Sequence, residues 1–150
     1  MMELNKKIAG LAKEYADAKV PYQHRGYSRN GCDCTGLLLA IMQELGYMKG
    51  YKLRDYPPDW NLHAGAGNQV IDELEKLADQ IPKKMAGAGD VIVMTFGKCP
   101  AHCGILVDNN LTMVHSLSTN RCCTYSLLWN SSWYKRWVTT FRINELKLCS

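Results

Sequence analysis

No stretch of the sequence holds the roughly 20 consecutive apolar residues that a membrane-spanning helix requires, so no membrane span is expected. The first residues, Met1-Met2-Glu3-Leu4-Asn5-Lys6-Lys7, lack the apolar segment and small-residue cleavage site of a secretory signal. Synthesis in the cytoplasm is the expectation, with any exported destination reached by lysis, by assembly into a particle or by a dedicated secretion machine. Lys/Arg runs interleaved with aromatics are missing too, so no nucleic acid partner is expected. The formal charge of +4 is scattered and reads as ordinary solubility, with a weak pull towards anionic polymers at most. Repeats, low-complexity tracts and linkers are absent, and 150 residues suit one domain with a core of its own.

Paired C-x-x-C spacings are also absent, although there are seven cysteines: Cys32, Cys34, Cys99, Cys103, Cys122, Cys123 and Cys149. An odd number cannot pair completely within one chain, so at least one thiol stays free. Cys99-x-x-x-Cys103 with Cys122 and Cys123 offers sulfurs for zinc, but vicinal cysteines fit one ion poorly. Neither metal nor cofactor is expected, and mostly reduced thiols are the default.

The informative feature is a change of periodicity. From Glu3 to about Lys19, Leu4, Ile8, Leu11, Ala12 and Tyr15 form a helical stripe that stops ahead of Pro21. Residues 21–32, PYQHRGYSRNGC, read as a polar loop. Asp33 to Leu45 is apolar over most of its circumference and predicts a central buried helix ended by Gly46. Residues 47–67 look irregular, since Pro57-Pro58 excludes a long helix, and a third helix is expected from Asn68 to Gln80. Short β-branched or aromatic runs follow at Asp90–Met94, Cys103–Val107, Leu111–His115, Arg121–Leu127 and Trp137–Arg142. Helices first and strands second predict an α+β fold, with N-terminal helices packed on a C-terminal antiparallel sheet.

Chemistry concentrates at the start of the central helix. Asp33 is a good N-cap, which puts Cys34 in a first turn where free amides and the helix dipole stabilise a thiolate. The same amides suit an oxyanion, and Gly36 is expected to let a substrate backbone approach. Taken alone, Cys34 reads equally well as a small buried apolar residue.

A partner for the thiol comes from the strand-rich half. His102 opens the run to Val107, His115 closes the run from Leu111, and Asp108-Asn109-Asn110 supplies turn chemistry between them. A two-residue turn at Asp108-Asn109 sets the two histidines directly opposite each other on one face, while a three-residue turn sets His102 opposite Ser116. In the first register, one imidazole serves as base and the other fixes its tautomer.

These residues resemble the NlpC-type cell-wall cysteine peptidases, a papain-like family. The match runs in order through Pro21-Tyr22, Asp33-Cys34-Thr35-Gly36, Gly89-Asp90-Val91-Ile92, His102-x-Gly104-Ile105-Leu106, Met113-Val114-His115 and the closing segment Trp137 to Arg142. The resemblance implies a papain-like fold with Cys34 as nucleophile at a helix N-terminus, His102 as base and His115 as the third polar member. Tyr22 matches the loop tyrosine that binds substrate or the oxyanion, and no metal is needed. The implied substrate is the peptidoglycan stem peptide, often cut between D-glutamate and the diamino acid. The spacing is most similar to single-domain phage and prophage tail members, so phage tail proteins are expected partners and action at the cell wall, in a tail or after release, the expected setting. Asp33, Thr35 and Gly36 complete the expected substrate side, and His24 and Arg25 stand either as contacts to an acidic stem peptide or as solvated loop. Thr35 replaces the commoner serine, and Cys32 and Cys103 beside active-site residues raise the prospect of redox inactivation. An amidase or acyltransferase on another substrate, a secreted antibacterial effector and a non-catalytic wall-binding tail module remain as alternatives. Tyr125, Trp129, Trp133 and Trp137 read as a sugar surface or, more simply, as aromatic packing.

Overall fold

The computed structural model describes residues 2–51, 69–97 and 99–148. Most of the irregular stretch expected over 47–67 therefore lies outside the described residues, as does Cys149. Helix α1 (Met2–Asp17) buries Leu4, Ile8, Ala12 and Tyr15, the stripe that its sequence spacing predicts. A two-residue hairpin, β1 (Tyr27–Ser28) with β2 (Gly31–Cys32), forms within the expected loop. It leads into α2 (Cys34–Glu44), whose residues from Gly36 to Met42 are all buried. That all-round burial suits an uninterrupted apolar run, each large side chain contributing about 1.5–3 kcal/mol when fully removed from water.

After α3 (Gln69–Glu75), strands take over: β3 (Ala78–Ile81), β4 (Val91–Phe96), β5 (Cys99–Leu106), β6 (Thr112–Leu117) and β7 (Cys122–Leu127). The short α4 (Ser132–Arg136) precedes β8 (Trp137–Ile143), and α5 (Glu145–Leu148) follows it. The strands make one six-stranded sheet in the order β3-β8-β4-β5-β6-β7, antiparallel throughout. Alternation along the strands divides its faces: Val91, Val93, Cys103 and Ile105 join the core shared with α1 and α2. Ile92, Met94, Leu106 and Met113 build a second cluster with Leu128 and Trp137. The fold is α+β, N-terminal helices on a C-terminal antiparallel sheet, as expected.

Three local expectations need correction. The third helix stops at Glu75, and the last expected helical residues, Ala78 to Gln80, belong instead to the edge strand Ala78–Ile81 paired to β8. An open ladder on β8 outweighs the weak strand preference of Ala-Asp-Gln-Ile, which is how tertiary pairing overrides local pattern. β5 starts at Cys99, ahead of the expected Cys103, and passes Pro100 by a bulge: Met94 pairs with His102 and Thr95 with Pro100, leaving Ala101 unmatched. The β5–β6 register is set by neither expected turn. Ile105 pairs with Val114 and Leu106 with Met113, and Val107 donates to the Thr112 carbonyl at 2.9 Å, so 108–111 form a four-residue loop. Asp108 stabilises this longer loop by accepting from the Asn110 and Thr112 amides at 2.9 and 3.1 Å.

Candidate active site

Asp33 organises the entry to α2. Its Oδ1 accepts from the Gly36 amide at 2.8 Å and the Thr35 hydroxyl at 3.3 Å, and its Oδ2 from the Arg25 amide at 2.8 Å. Cys34 is thereby the first residue of α2, half-buried, at the positive end of the helix dipole. Its thiol lies 3.8 Å from the Ala101 carbonyl oxygen, at the bulge that precedes His102. The Cys34 thiol is held well below its ordinary value, first by a hydrogen bond from the Cys103 thiol, then, against burial, by the hydrogen bond and charge of His102. Cys103 is pushed the opposite way by that same bond, by burial and by the charge on Cys34.

The two histidines meet, though not as direct cross-strand partners. His102 Nε2 and His115 Nδ1 are 2.8 Å apart, with ring centroids at 5.0 Å and planes at 67°. The observed register is two residues away from the one that opposes them, and an even shift keeps both on the same face. Carried on, it sets His115 across from Gly104, with His102 on the diagonal. A Cβ on Gly104 would fall 2.8 Å from Met113 Sδ and only in ordinary contact, at 3.5 Å, with His115 Cβ, so glycine here makes room for the Met113 side chain. His115 Nε2 lies 2.8 Å from Ser126 Oγ on β7, which extends the chain to a fourth group. Burial, then the charge of His102, lowers the His115 pKa to about 3. Trp133 packs on both rings, at 5.2 Å from His102 and 5.4 Å from His115, and Phe96 adds a contact to His102 at 5.9 Å.

A pocket opens above Cys34 and runs along α2 towards α3, lined by Leu38, Leu39, Val70 and Leu74 among others. Tyr22, His24 and Thr35 line it together with Cys34 and His102. The Tyr22 hydroxyl is pushed up to about 12 by burial and by the charges of Asp33 and Cys34, so it remains a proton donor at neutral pH. Arg25 is exposed, with φ at 60°, and lies outside the pocket lining. Its backbone serves the site through Asp33. Gly36, expected to face substrate, is buried beneath the loop: a Cβ there would fall 1.7 Å from the Gly26 carbonyl oxygen. Glycine is required at this position by the loop backbone.

Sequence reasoning missed Ser126, the contact of Trp133 and Phe96 with the histidines, and the bond from Cys103 to Cys34. Ser126 alternates onto the His115 face of β7, since Met113 pairs with Ser126, but only the sheet order makes that alternation informative. No group of three or more His, Cys, Asp or Glu suited to a metal occurs among the described residues, and no described helix is long and apolar enough to cross a membrane.

Comparison with known proteins agrees with this architecture. The NlpC2 protein of Trichomonas vaginalis superposes with a TM-score of 0.63 at 16% identity, over 93% of this chain and 46% of that one. An NLP/P60 family lipoprotein-like protein of Staphylococcus aureus gives 0.64 at 20% identity, over 94% and 41%. This chain thus spans less than half the length of either. The NlpC/p60 domain of the peptidoglycan hydrolase SagA gives 0.58 at 15% identity, over 93% and 97%. A search of curated protein sequences finds no match. These likenesses fix the papain-like NlpC/P60 fold, and since the NlpC/P60 family model also matches residues 19–142, the chain belongs to the NlpC/P60 family.

Proposed function

We propose that this chain hydrolyses amide bonds in peptidoglycan stem peptides, with Cys34 as nucleophile, His102 as base and His115 orienting that base. NlpC/P60 proteins are typically cysteine peptidases acting on peptidoglycan. The observation that carries the reading is that Cys34 at a helix N-terminus shares its pocket with His102, which is hydrogen-bonded through His115 to Ser126.

The proton positions follow from that path. His102 Nε2 is engaged by His115, which leaves Nδ1 for the Cys34 sulfur. With His102 charged, its Nε2–H donates to His115 Nδ1, and the His115 proton sits on Nε2, donating to Ser126 Oγ. His115 stays neutral across working pH, so the positive charge remains beside the thiolate. The thiolate attacks the amide carbonyl, while the amide at the start of α2 and the Tyr22 hydroxyl hold the oxyanion. His102 Nδ1 gives its proton to the leaving amine and then takes one from water, which hydrolyses the thioester and returns the thiolate.

The proposed bond is the one between D-glutamate and the diamino acid, and Thr35 and His24 are the proposed substrate contacts beside Tyr22. Residues 1–150 are read as one peptidase domain. Association with a phage or prophage tail, and action at the wall within it or after release, are supported by motif spacing alone.

The test is digestion of purified peptidoglycan by the wild type and by Cys34→Ala, with fragments read by mass spectrometry. New stem-peptide termini, absent with the variant, are expected and identify the bond. Equal cleavage by the variant removes Cys34 from the role, and no cleavage of several wall types by folded, reduced wild type overturns the peptidase reading.

A further inference from the structure

Cys103 is buried, yet its thiol is turned towards the nucleophile. It donates to the Cys34 carbonyl oxygen at 3.3 Å, which joins the first turn of α2 to β5 and sets the second thiol beside the nucleophilic residue. Peptide hydrolysis as derived above needs no bond-making by this second sulfur. We propose that Cys34 and Cys103 form a site of reversible oxidation, in which a hydroperoxide oxidises Cys34 and Cys103 closes on it as a disulfide. The proposal rests on Cys34 being the reactive thiolate of the proposed function and adds a resolving partner to it.

The chemistry balances in two steps. The Cys34 thiolate attacks the peroxide oxygen: an S–O bond forms, the O–O bond breaks and alkoxide (hydroxide from hydrogen peroxide) leaves. The sulfur is oxidised to sulfenic acid and the peroxide is reduced. Cys103 then attacks the Cys34 sulfur; an S–S bond forms, the S–O bond breaks, and the departing hydroxide leaves as water with the Cys103 proton. Two thiols and one hydroperoxide give one disulfide, one alcohol and one water. The first step also prepares the second. Cys103 is kept protonated by its bond to Cys34, by burial and by the Cys34 charge, and oxidation of Cys34 to an uncharged acid removes that charge.

The geometry also selects between the cysteines. Cys32 is nearer in sequence, two residues ahead of the nucleophile, but it is buried with its sulfur 3.5 Å from that of Cys123. The Ser116 hydroxyl holds the Cys32 carbonyl at 2.7 Å, fixing that strand against β6. Cys103, distant in sequence, is the thiol hydrogen-bonded to Cys34, through the Cys34 carbonyl oxygen at 3.3 Å. Cross-linked Cys34 cannot attack an amide, so oxidation stops the enzyme, and a reducing dithiol restores it. Without Cys103, the sulfenic acid proceeds to sulfinic acid, which is irreversible.

The experiment treats the reduced full chain with hydrogen peroxide, alkylates the remaining thiols and maps linked peptides by mass spectrometry without reduction. A Cys34–Cys103 linked peptide is expected, with both thiols recovered after dithiothreitol. In Cys103→Ser, Cys34 is expected to collect as sulfinic acid at the same peroxide dose. Should that variant fail to fold, trapping of wild-type Cys34 sulfenic acid with dimedone, at the expense of the linked peptide, reports the same intermediate. Sulfinic acid at wild-type Cys34 with Cys103 still alkylatable overturns the proposal, as does a cross-link confined to Cys32 and Cys123. Because the readout needs no peptidoglycan, a chain that cross-links but does not cut the wall loses only the peptidase reading. One that cuts but does not cross-link loses only this one.

Discussion

Two buried polar clusters occupy different parts of the same sheet and do opposite things with burial. Asp90, just ahead of β4, is fully buried and accepts from Arg142 Nε and Nη2 at 2.8 Å each, from the Gly87 amide at 2.9 Å and from Asn5 Nδ2 at 3.2 Å. Both carboxylate oxygens are bonded, the charges cancel, and α1, β4 and β8 are fastened together. His102 and His115 are buried as deeply, but their hydrogen bonds run in a line from His102, which shares an open pocket with the Cys34 thiol, to a serine. One cluster holds charge in place with fixed partners on every side. In the proposed function, the other holds one end fixed so that a proton is exchanged at the opposite end.

Breaking the fixed cluster gives the larger effect on stability. Asp90→Ala removes a fully buried acceptor and leaves the part-exposed Arg142 guanidinium without its carboxylate, a loss of about 2–3 kcal/mol on the scale of hydrogen bonds to charged groups. The expected result is a matching fall in unfolding free energy by urea titration, with activity per folded molecule retained. Replacing both partners together, Asp90→Leu with Arg142→Met, is expected to regain much of the loss. A loss below about 1 kcal/mol, the range of exposed pairs, would break the contrast between the clusters.

Breaking the line acts on turnover instead. His115→Ala removes the acceptor that holds His102 Nε2 and is expected to lower kcat about 10²–10³-fold, within the range of misplaced acid–base groups. His115→Asn, which keeps an acceptor oxygen near Nδ1, is expected to recover part of it. Steady-state kinetics corrected for folded fraction check this; a loss that merely tracks unfolding would make His115 a packing residue.

Titration sharpens the contrast further. The Cys34 thiol is depressed, so its thiolate persists as pH falls below the ordinary thiol range and is lost only on passing the lowered pKa. The rate of Cys34 alkylation by iodoacetamide is therefore expected to rise with pH to a plateau already reached below pH 9, the ordinary thiol value. Cys103→Ala removes the leading cause and is expected to move the midpoint upward. A midpoint at the ordinary value in the wild type would remove the activated nucleophile.

How much of this was legible in the sequence differs between the same two clusters. Cys34, His102 and His115 sit at motif positions whose chemistry is local: a cap before a helix, a histidine opening one run and another closing the next. The α+β order was legible because helical and alternating periods occupy separate halves. What failed was whatever depends on a distant strand. The β5–β6 register required the four-residue loop at 108–111, and Ala78–Ile81 became a strand only because β8 was there to pair with it. Gly36 was read as room for substrate when the Gly26 carbonyl fills that room, a contact made by a loop folding back. The pairing of Asp90 with Arg142, 52 residues apart, left no local mark at all.

Ser126 is the smallest lever on the line and the most specific. Its hydroxyl fixes no charge; it lies 2.8 Å from His115 Nε2, and in the proposed mechanism it accepts from that nitrogen and so leaves His115 Nδ1 to accept from His102. Ser126→Ala removes one neutral hydrogen bond, worth about 1 kcal/mol, which corresponds to a roughly fivefold fall in kcat. Since Ser126 does not line the pocket, KM is expected to stay unchanged, and Ser126→Thr is expected to restore kcat by returning the hydroxyl. A purely structural serine would instead lower the unfolding midpoint in step with activity and be indifferent to the threonine. An equal fall of kcat in the alanine and threonine variants would place the end of the line at His115.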